Sequence, residues 1–455
     1  MKRVAWAQKS LLALAPLLVA SCGTRSSERE GEVILYVDTD APLPHRTTTP
    51  PGEVPPLFDR LRIEIFRRGE ATPCRSCSRE FPIDRETVDA GQASIGIPES
   101  TCASGCVARV RLTRAASLDH DEPRLDSTID HTVAIPAVGS GQTVATTVFL
   151  PLGDVARPKG SLQAPLPAVL GPMRARPMTP QPKKPCKEPH DSSLEACVPG
   201  GTFWMGDPQT WSRSTYLASD RQRVVRLSPF YVDLTEVTVA QFRKYVETTG
   251  AQPPASRPTA PPGYIAIDPK GLTENCTWDR TDDVAVSCVT WEQARAYCGF
   301  RGRVLPTEAQ LEYLQGGTEG HRYVWGDDDE SCRGTTDEER LLARSHCSYE
   351  PSVIGSHRDD VFVAADGARV VDVTGNLGEF ALDELDAQDG PCWGTGLFVD
   401  PRCTVAGLAG YHEYRGGSVR PDRSAVLPGL RAAIRYGLPI GVQADTVGFR
   451  CVRPG

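Results

Sequence analysis

The chain has 455 residues, 40% of them hydrophobic, which is enough to bury cores in two or three domains. Its 39 prolines and 41 glycines exclude a helical bundle and point to loop-rich architecture. The formal charge of −8, with no basic stripe interleaved with aromatics, excludes non-specific nucleic-acid binding as the main task.

The first segment in chain order is an address. Lys2, Arg3 and Lys9 flank the start of the apolar run LLALAPLLVA, which is too short to span a bilayer as a stable helix and reads as an export signal. It ends in LVASC, with small residues before Cys22. That resembles the bacterial lipoprotein cleavage box, in which the cysteine is lipidated and becomes the new N-terminus. An ordinary signal peptide with a chance cysteine is the alternative. The expectation is a signal peptide over 1–21 and a polar, lipidated tether over 22–31, with the membrane as partner through Cys22. Gly23, rather than Asp, favours the outer membrane, so the chain is expected in the cell envelope as an outer-membrane lipoprotein, periplasmic or surface-exposed. Of the 15 cysteines, giving Cys22 to lipid leaves an even number in an exported chain, where disulfides persist. Cys186/Cys197, Cys276/Cys288, Cys332/Cys347 and Cys392/Cys403 are near neighbours that can each close a short loop.

Residues 32–150 carry a period of two. VILYVD, LRIEIF, ARVRL, HTVAI and TVATTVFL alternate between turn signals, and Leu61, Ile63 and Ile65 share one face while Arg62 and Glu64 point away. This predicts an antiparallel β-domain, sandwich-like. Cys74-x-x-Cys77 and Cys102-x3-Cys106 fit either a four-cysteine zinc site or two disulfides, and disulfides are the expectation after export. Residues 151–190 hold ten prolines, and seven Lys or Arg against two acids. They predict a stiff, solvated linker that holds the next domain away from the first.

Helix starts then recur. Thr238-x-x-Gln241, Thr290-x-x-Gln293 and Thr307-x-x-Gln310 are capping boxes, in which the threonine hydroxyl accepts from a free amide and the glutamine reaches back. The helices they open are short and end near Gly250, Gly299 or Gly302, and Gly316.

These blocks carry a resemblance. VPGGTFWMGD, SPFYVDLTEVTVAQFRKYVETTG, VTWEQARAYCGFRGRVLPTEAQLEYLQGG, DVTGNLGEF, RGGS with LRAAIRYG, and GFRC occur in order across roughly 255 residues. Together they resemble the formylglycine-generating-enzyme domain, also called the sulfatase-modifying-factor domain, placed at 191–455. The resemblance implies a variant of the C-type lectin fold, α+β, with small twisted sheets and abundant ordered loop. It also implies one disulfide, Cys298–Cys451.

Active members of that family oxidise a cysteine in a C-x-P-x-R peptide to formylglycine with O2 and Cu(I) held by two cysteines. Cu(I) is soft and prefers thiolate. The family's cysteines lie three and eight residues after the RGGS serine, where this chain has Pro421 and Val426, and no cysteine lies between Cys403 and Cys451. Copper is therefore not expected, and no catalytic residue is assigned. The family's W-E-W is here Gly378-Glu379-Phe380, which predicts the loss of a bulky wall. Carried over residue by residue, the family's calcium site falls on Asp372, Gly375, Leu377 and Glu379. A ligand groove falls at Ser418 and Arg423, with Arg431 and Arg435 read as structural ion pairs and His346 and His357 as surface residues. The functional expectation is a non-catalytic binding module for peptide, glycan or an envelope protein. The alternative is an oxidoreductase of the same family acting on protein cysteine or another substrate.

Overall fold

The computed structural model describes residues 30–119, 122–172, 183–187, 189–208, 221–259, 276–328, 350–405, 407–408, 410–417 and 430–455. Cys22, Cys332, Cys347, His346, Ser418, Pro421, Arg423 and Val426 lie outside them. Among the described residues, no helix is long and apolar enough to cross a membrane.

The first domain is two four-stranded sheets over one core. Strands β1 (Glu32–Thr39), β2 (Arg60–Arg67), β3 (Ser78–Pro82), β4 (Ser94–Pro98), β5 (Cys106–Thr113), β6 (Ile129–Ile135), β7 (Thr143–Leu150) and β8 (Val169–Leu170) pair in the orders β8-β7-β1-β4 and β3-β2-β5-β6. The period of two is realised: Leu61, Ile63 and Ile65 are buried against Val33, Leu35, Val37, Val110 and Leu112. One pairing departs from the antiparallel expectation. β1 and β7 run parallel over eight residue pairs, Glu32 to Thr39 against Thr143 to Leu150. More than a hundred residues separate them in sequence, so the long crossover that a parallel pair needs is available.

The linker also differs from its expectation. Its first half is stitched to the β-domain, not held off it. Thr132 N–H donates to Lys159 O (2.8 Å), Ala134 N–H to Leu166 O (2.8 Å), and β8 pairs with β7. Proline lacks an amide donor, so a proline-rich strand suits a sheet edge and still accepts through its carbonyls. The two domains touch. Trp204 Nε1 donates to Leu57 O (3.0 Å), its ring meets Phe58 edge-on at 5.4 Å, and Trp204 and Val224 join the β-domain core. Arg157 Nε adds a bond to Thr395 Oγ1 (3.2 Å). A domain whose core is completed by its neighbour cannot be a tethered bead.

In the second domain three helices are capped as the sequence predicts: α1 (Val239–Thr249), α2 (Trp291–Phe300) and α3 (Glu308–Gly316). Each threonine accepts from the N3 amide and each glutamine returns to the N-cap amide. Gly250, at φ +70°, closes α1, where a side chain would be strained. The sheets are small. β9 (Glu195–Val198), β12 (Phe230–Asp233) and the last strand β17 (Val452–Pro454) form one. β10 (Gly201–Met205) and β11 (Arg223–Leu227) form the hairpin that faces the β-domain. β13 (Gly378–Glu384), β14 (Tyr411–Arg415), β15 (Tyr436–Pro439) and β16 (Val447–Gly448) form a four-stranded sheet under the helices. This is mixed α+β architecture. Cys298–Cys451 is a disulfide, joining α2 to the start of β17. Cys186–Cys197, Cys276–Cys288 and Cys392–Cys403 are paired as neighbours, and Cys74–Cys77 and Cys102–Cys106 are disulfides, which removes the zinc alternative.

Candidate functional site

The loop from Asp372 to Glu379 enters β13 and is the best-defined polar centre. Three of its residues take left-handed backbone: Asp372 at φ +53°, Gly375 at +102° and Asn376 at +52°. Asp and Asn tolerate that region better than other side-chain-bearing residues. Glu236 holds the loop from beneath, accepting from Asn376 Nδ2 and from Leu377 N–H (3.1 Å). Gly375 N–H donates to Gly416 O (2.7 Å), which ties the loop to the RGGS turn.

The carboxylates around it are buried. Asp372 accepts from Gly355 N–H (2.7 Å) and lies 3.1 Å from His357 Nδ1. His357 is thus a buried partner of Asp372, not the surface residue expected. Glu379 takes both its oxygens to Arg450, with Nε at 2.7 and 2.8 Å, and Arg450 also donates to Val371 O and Asp372 O. Burial, then repulsion from Asp372 and Glu379, pushes the Glu236 carboxyl well above its usual range. Burial raises Glu379 as well, against the pull of Arg450.

Asp372, Gly375, Leu377 and Glu379 all lie on this loop. Three buried carboxyl groups, Glu236, Asp372 and Glu379, lie near one guanidinium there, and a hard cation among them would favour their ionised forms. A cation would share Glu379 with Arg450. Elsewhere among the described residues, the one group of three metal-type side chains is Asp386, Cys392 and Cys403. Its two sulfurs are bonded to each other, so it offers no thiolate.

A second polar centre lies under RGGS. Arg415 binds Glu308 (2.6 Å), Glu312 (3.0 Å) and Glu413 (2.9 Å), and Arg435 binds Glu308 (2.7 Å) and Glu413 (3.1 Å). Burial would raise Glu308, but Arg435 and Arg415 outweigh it and hold the carboxyl at about 2. Glu413 is pushed well up by burial and by Glu308, so its proton relieves the crowding. Asp383 accepts from Glu308 N–H (2.9 Å) and Cys403 N–H (2.6 Å) and is raised to about 7 by burial and the Glu308 charge. Arg435 is structural, as the sequence reading held, and Arg431 reaches Asp207 at 3.4 Å.

The wall expected to be missing at Gly378 is refilled. A Cβ on Gly378 would meet Tyr414 Cδ2 at 2.8 Å and Gly417 O at 3.1 Å. Tyr414 stacks on Tyr436 with centroids 5.1 Å apart and an angle of 17°. Position 378 is glycine because an aromatic ring from the next strand occupies the space. Sequence reasoning did not reach Glu236, Glu413 or Asp383, and it placed His357 at the surface. Glu236 sits inside a quoted block and Glu413 two residues before RGGS, but nothing in their spacing marks them as buried.

Residues 180–454 match the profile of the sulfatase-modifying factor enzyme 1-like domain family. The chain belongs to that family. The formylglycine-generating enzyme of Thermomonospora curvata is 30% identical over 285 residues, covering 56% of this chain and 91% of that protein. The bovine protein named inactive C-alpha-formylglycine-generating enzyme 2 is 24% identical over 281 residues, covering 56% of this chain and 86% of that one. Among solved structures, PvdO from Pseudomonas aeruginosa is 20% identical with a TM-score of 0.40, covering 57% of this chain and 94% of that one. In the sulfatase-modifying-factor domain of this chain, RGGS, TGN and GFRC are the three turns that the two buried centres tie together.

Proposed function

We propose that this sulfatase-modifying-factor domain is a non-catalytic binding module, presented in the cell envelope by a lipid on Cys22 and recognising a peptide, a glycan or an envelope protein. The observation that carries this reading is the fate of the sulfurs. Every cysteine among the described residues, twelve in all, is in a disulfide. The positions that the family fills with copper thiolates are Pro421 and Val426 by sequence. A proline carbonyl and a valine side chain cannot replace two soft anionic ligands. The bovine relative's name shows that the family includes a protein described as inactive.

Incubating the purified chain with Cu(I) and a C-x-P-x-R peptide in air tests this. Mass spectrometry should show no conversion of cysteine to formylglycine, beside a variant carrying P421C and V426C. Turnover by the unmodified chain would favour the second reading, an oxidoreductase of the family, which the identity to the T. curvata enzyme supports. The lipid is tested separately: metabolic labelling with an alkynyl fatty acid should mark the chain, and C22S should abolish the label. Retained label on C22S overturns the anchor.

We also propose calcium at the Asp372 loop, held by Asp372, Glu379 and the carbonyls of Gly375 and Leu377. A bound ion would favour the ionised carboxyl groups and fix the left-handed turn. Adding calcium after chelation should raise Tm, and D372N should lose most of that rise. A Tm indifferent to calcium sinks the site.

A further inference from the structure

The six disulfides among the described residues are not alike. Five have at least one buried cysteine; in Cys74–Cys77 neither is buried. It also spans the shortest sequence separation, three residues, at the turn that joins β2 to β3. The turn is framed without it. Cys74 N–H donates to Ile65 O, Ile65 N–H to Cys77 O, and Cys77 N–H to Cys74 O, each at 3.0 Å. These backbone bonds hold the turn alongside the sulfur bridge.

The charge around this turn is one-sided. Arg67, Arg68, Arg75 and Arg79 are all exposed. None of the four side chains has a hydrogen bond or ion pair among the described residues. Two of them flank the disulfide at one or two residues, Arg75 inside the C-x-x-C loop and Arg79 just after it. The local acids are fewer: Glu64 is buried and paired with Arg111 (2.6 Å), Glu80 lies 3.9 Å from Arg60, and Glu70 is exposed. Arginines elsewhere on this sheet are paired, as Arg109 is with Asp130 and Arg111 with Glu64. Guanidinium groups beside a cysteine favour its thiolate, which makes it a better leaving group in exchange.

We propose that Cys74–Cys77 is a thiol–disulfide exchange site whose substrate is a pair of cysteines in an acidic polypeptide segment. A substrate thiolate attacks one of the two sulfurs. The Cys74–Cys77 bond breaks, a mixed disulfide forms, and the other cysteine leaves as a thiolate stabilised by the arginines. The second substrate thiolate then attacks the mixed disulfide. The substrate leaves oxidised by two electrons, with its disulfide formed, and Cys74 and Cys77 keep those electrons and two protons as a dithiol. A small-molecule disulfide such as oxidised glutathione restores the bond by the same exchange in reverse. This activity is independent of ligand binding by the second domain. The four arginines select the acidic partner by charge.

The test uses the purified whole chain without oxygen. Two reduced dithiol peptides of equal length are offered, one with its cysteines among Asp and Glu, the other among Lys and Arg. Oxidation is read by mass spectrometry, and the cysteines that open in the protein are mapped by alkylation. The acidic peptide should be oxidised at least ~10-fold faster at low salt, with label on Cys74 and Cys77 alone. Arg75→Glu with Arg79→Glu should erase or reverse that preference and leave the other disulfides closed, so misfolding is visible if it occurs. Equal rates for the two peptides, first opening of another pair, or a preference that survives the charge reversal would each overturn the proposal and leave a structural staple.

Discussion

In the β-domain, Val33, Leu35, Val37, Ile63 and Leu112 fill the space between two sheets, and Arg111 with Glu64 is a buried ion pair beside that apolar core. In the sulfatase-modifying-factor domain, the largest fully buried side chains are Arg415, Arg435 and Arg450. The difference follows from element length. Strands of eight residues present a continuous apolar face, and apolar burial is non-directional and sufficient. Strands of two to seven residues, most of them five or fewer, joined by loops leave many carbonyls and turns that no sheet satisfies. A guanidinium offers five donors in a fixed fork, so one side chain can hold several loops at once. Arg450 does this, binding Glu379, Val371 O and Asp372 O together.

If that contrast is right, the second domain should be hurt most by losing a buried cation. Arg435→Met strands Glu308 and Glu413 and should lower stability by up to about 5 kcal/mol in denaturant unfolding; a loss no larger than that of a surface arginine would break the comparison. Removing Cys298–Cys451 by a double serine variant should cost about 4 kcal/mol, because the bond closes a long loop. At the junction, Trp204→Ala should cost about 3 kcal/mol and separate the unfolding of the two domains in calorimetry. A single unchanged transition would show that the contact is passive.

A pH series sharpens the point further. Asp383 is raised to about 7, so its folded form holds a proton that the unfolded chain releases near pH ~4. Its contribution to stability is therefore full below that lower range and is lost as pH rises towards 7. Asp383→Asn should flatten the decline between those limits; an unchanged slope would mean that another group sets it. The smallest effect belongs to the helix starts: Thr290→Ala should cost about 1 kcal/mol by thermal melt.

The same contrast explains what could be read in advance. Period two, capping boxes and glycine stops are local, so LRIEIF and the three Thr-x-x-Gln starts were legible as they stand. Cys298–Cys451 was legible through the family blocks, not through spacing. The parallel pairing of β1 with β7 and the docking of Trp204 on Phe58 were not, because both join segments more than a hundred residues apart. The linker misled because proline density reads as extension, and an extended chain can equally lie along a sheet edge. Asp372, Gly375, Leu377 and Glu379 are neighbours in sequence and share one loop, while Arg450 and Glu236, which hold that loop in place, come from other turns of the chain. Gly378 showed that something had changed there but not that Tyr414 had filled the gap.

The closing strand sets a schedule for synthesis. Val452 to Pro454 pair with Phe230–Val232, and Cys451 holds Cys298. Residues made early in the domain therefore wait for partners made about two hundred residues later. Until those residues have left the ribosome, β12 has an open edge and Cys298 lacks its partner. The β-domain, complete by about residue 170 apart from the Trp204 contact, can form first and give the waiting chain a surface to settle on. A chaperone that delays this domain's collapse would thus help it, and deletion of the β17 strand should leave an open-edged chain prone to association.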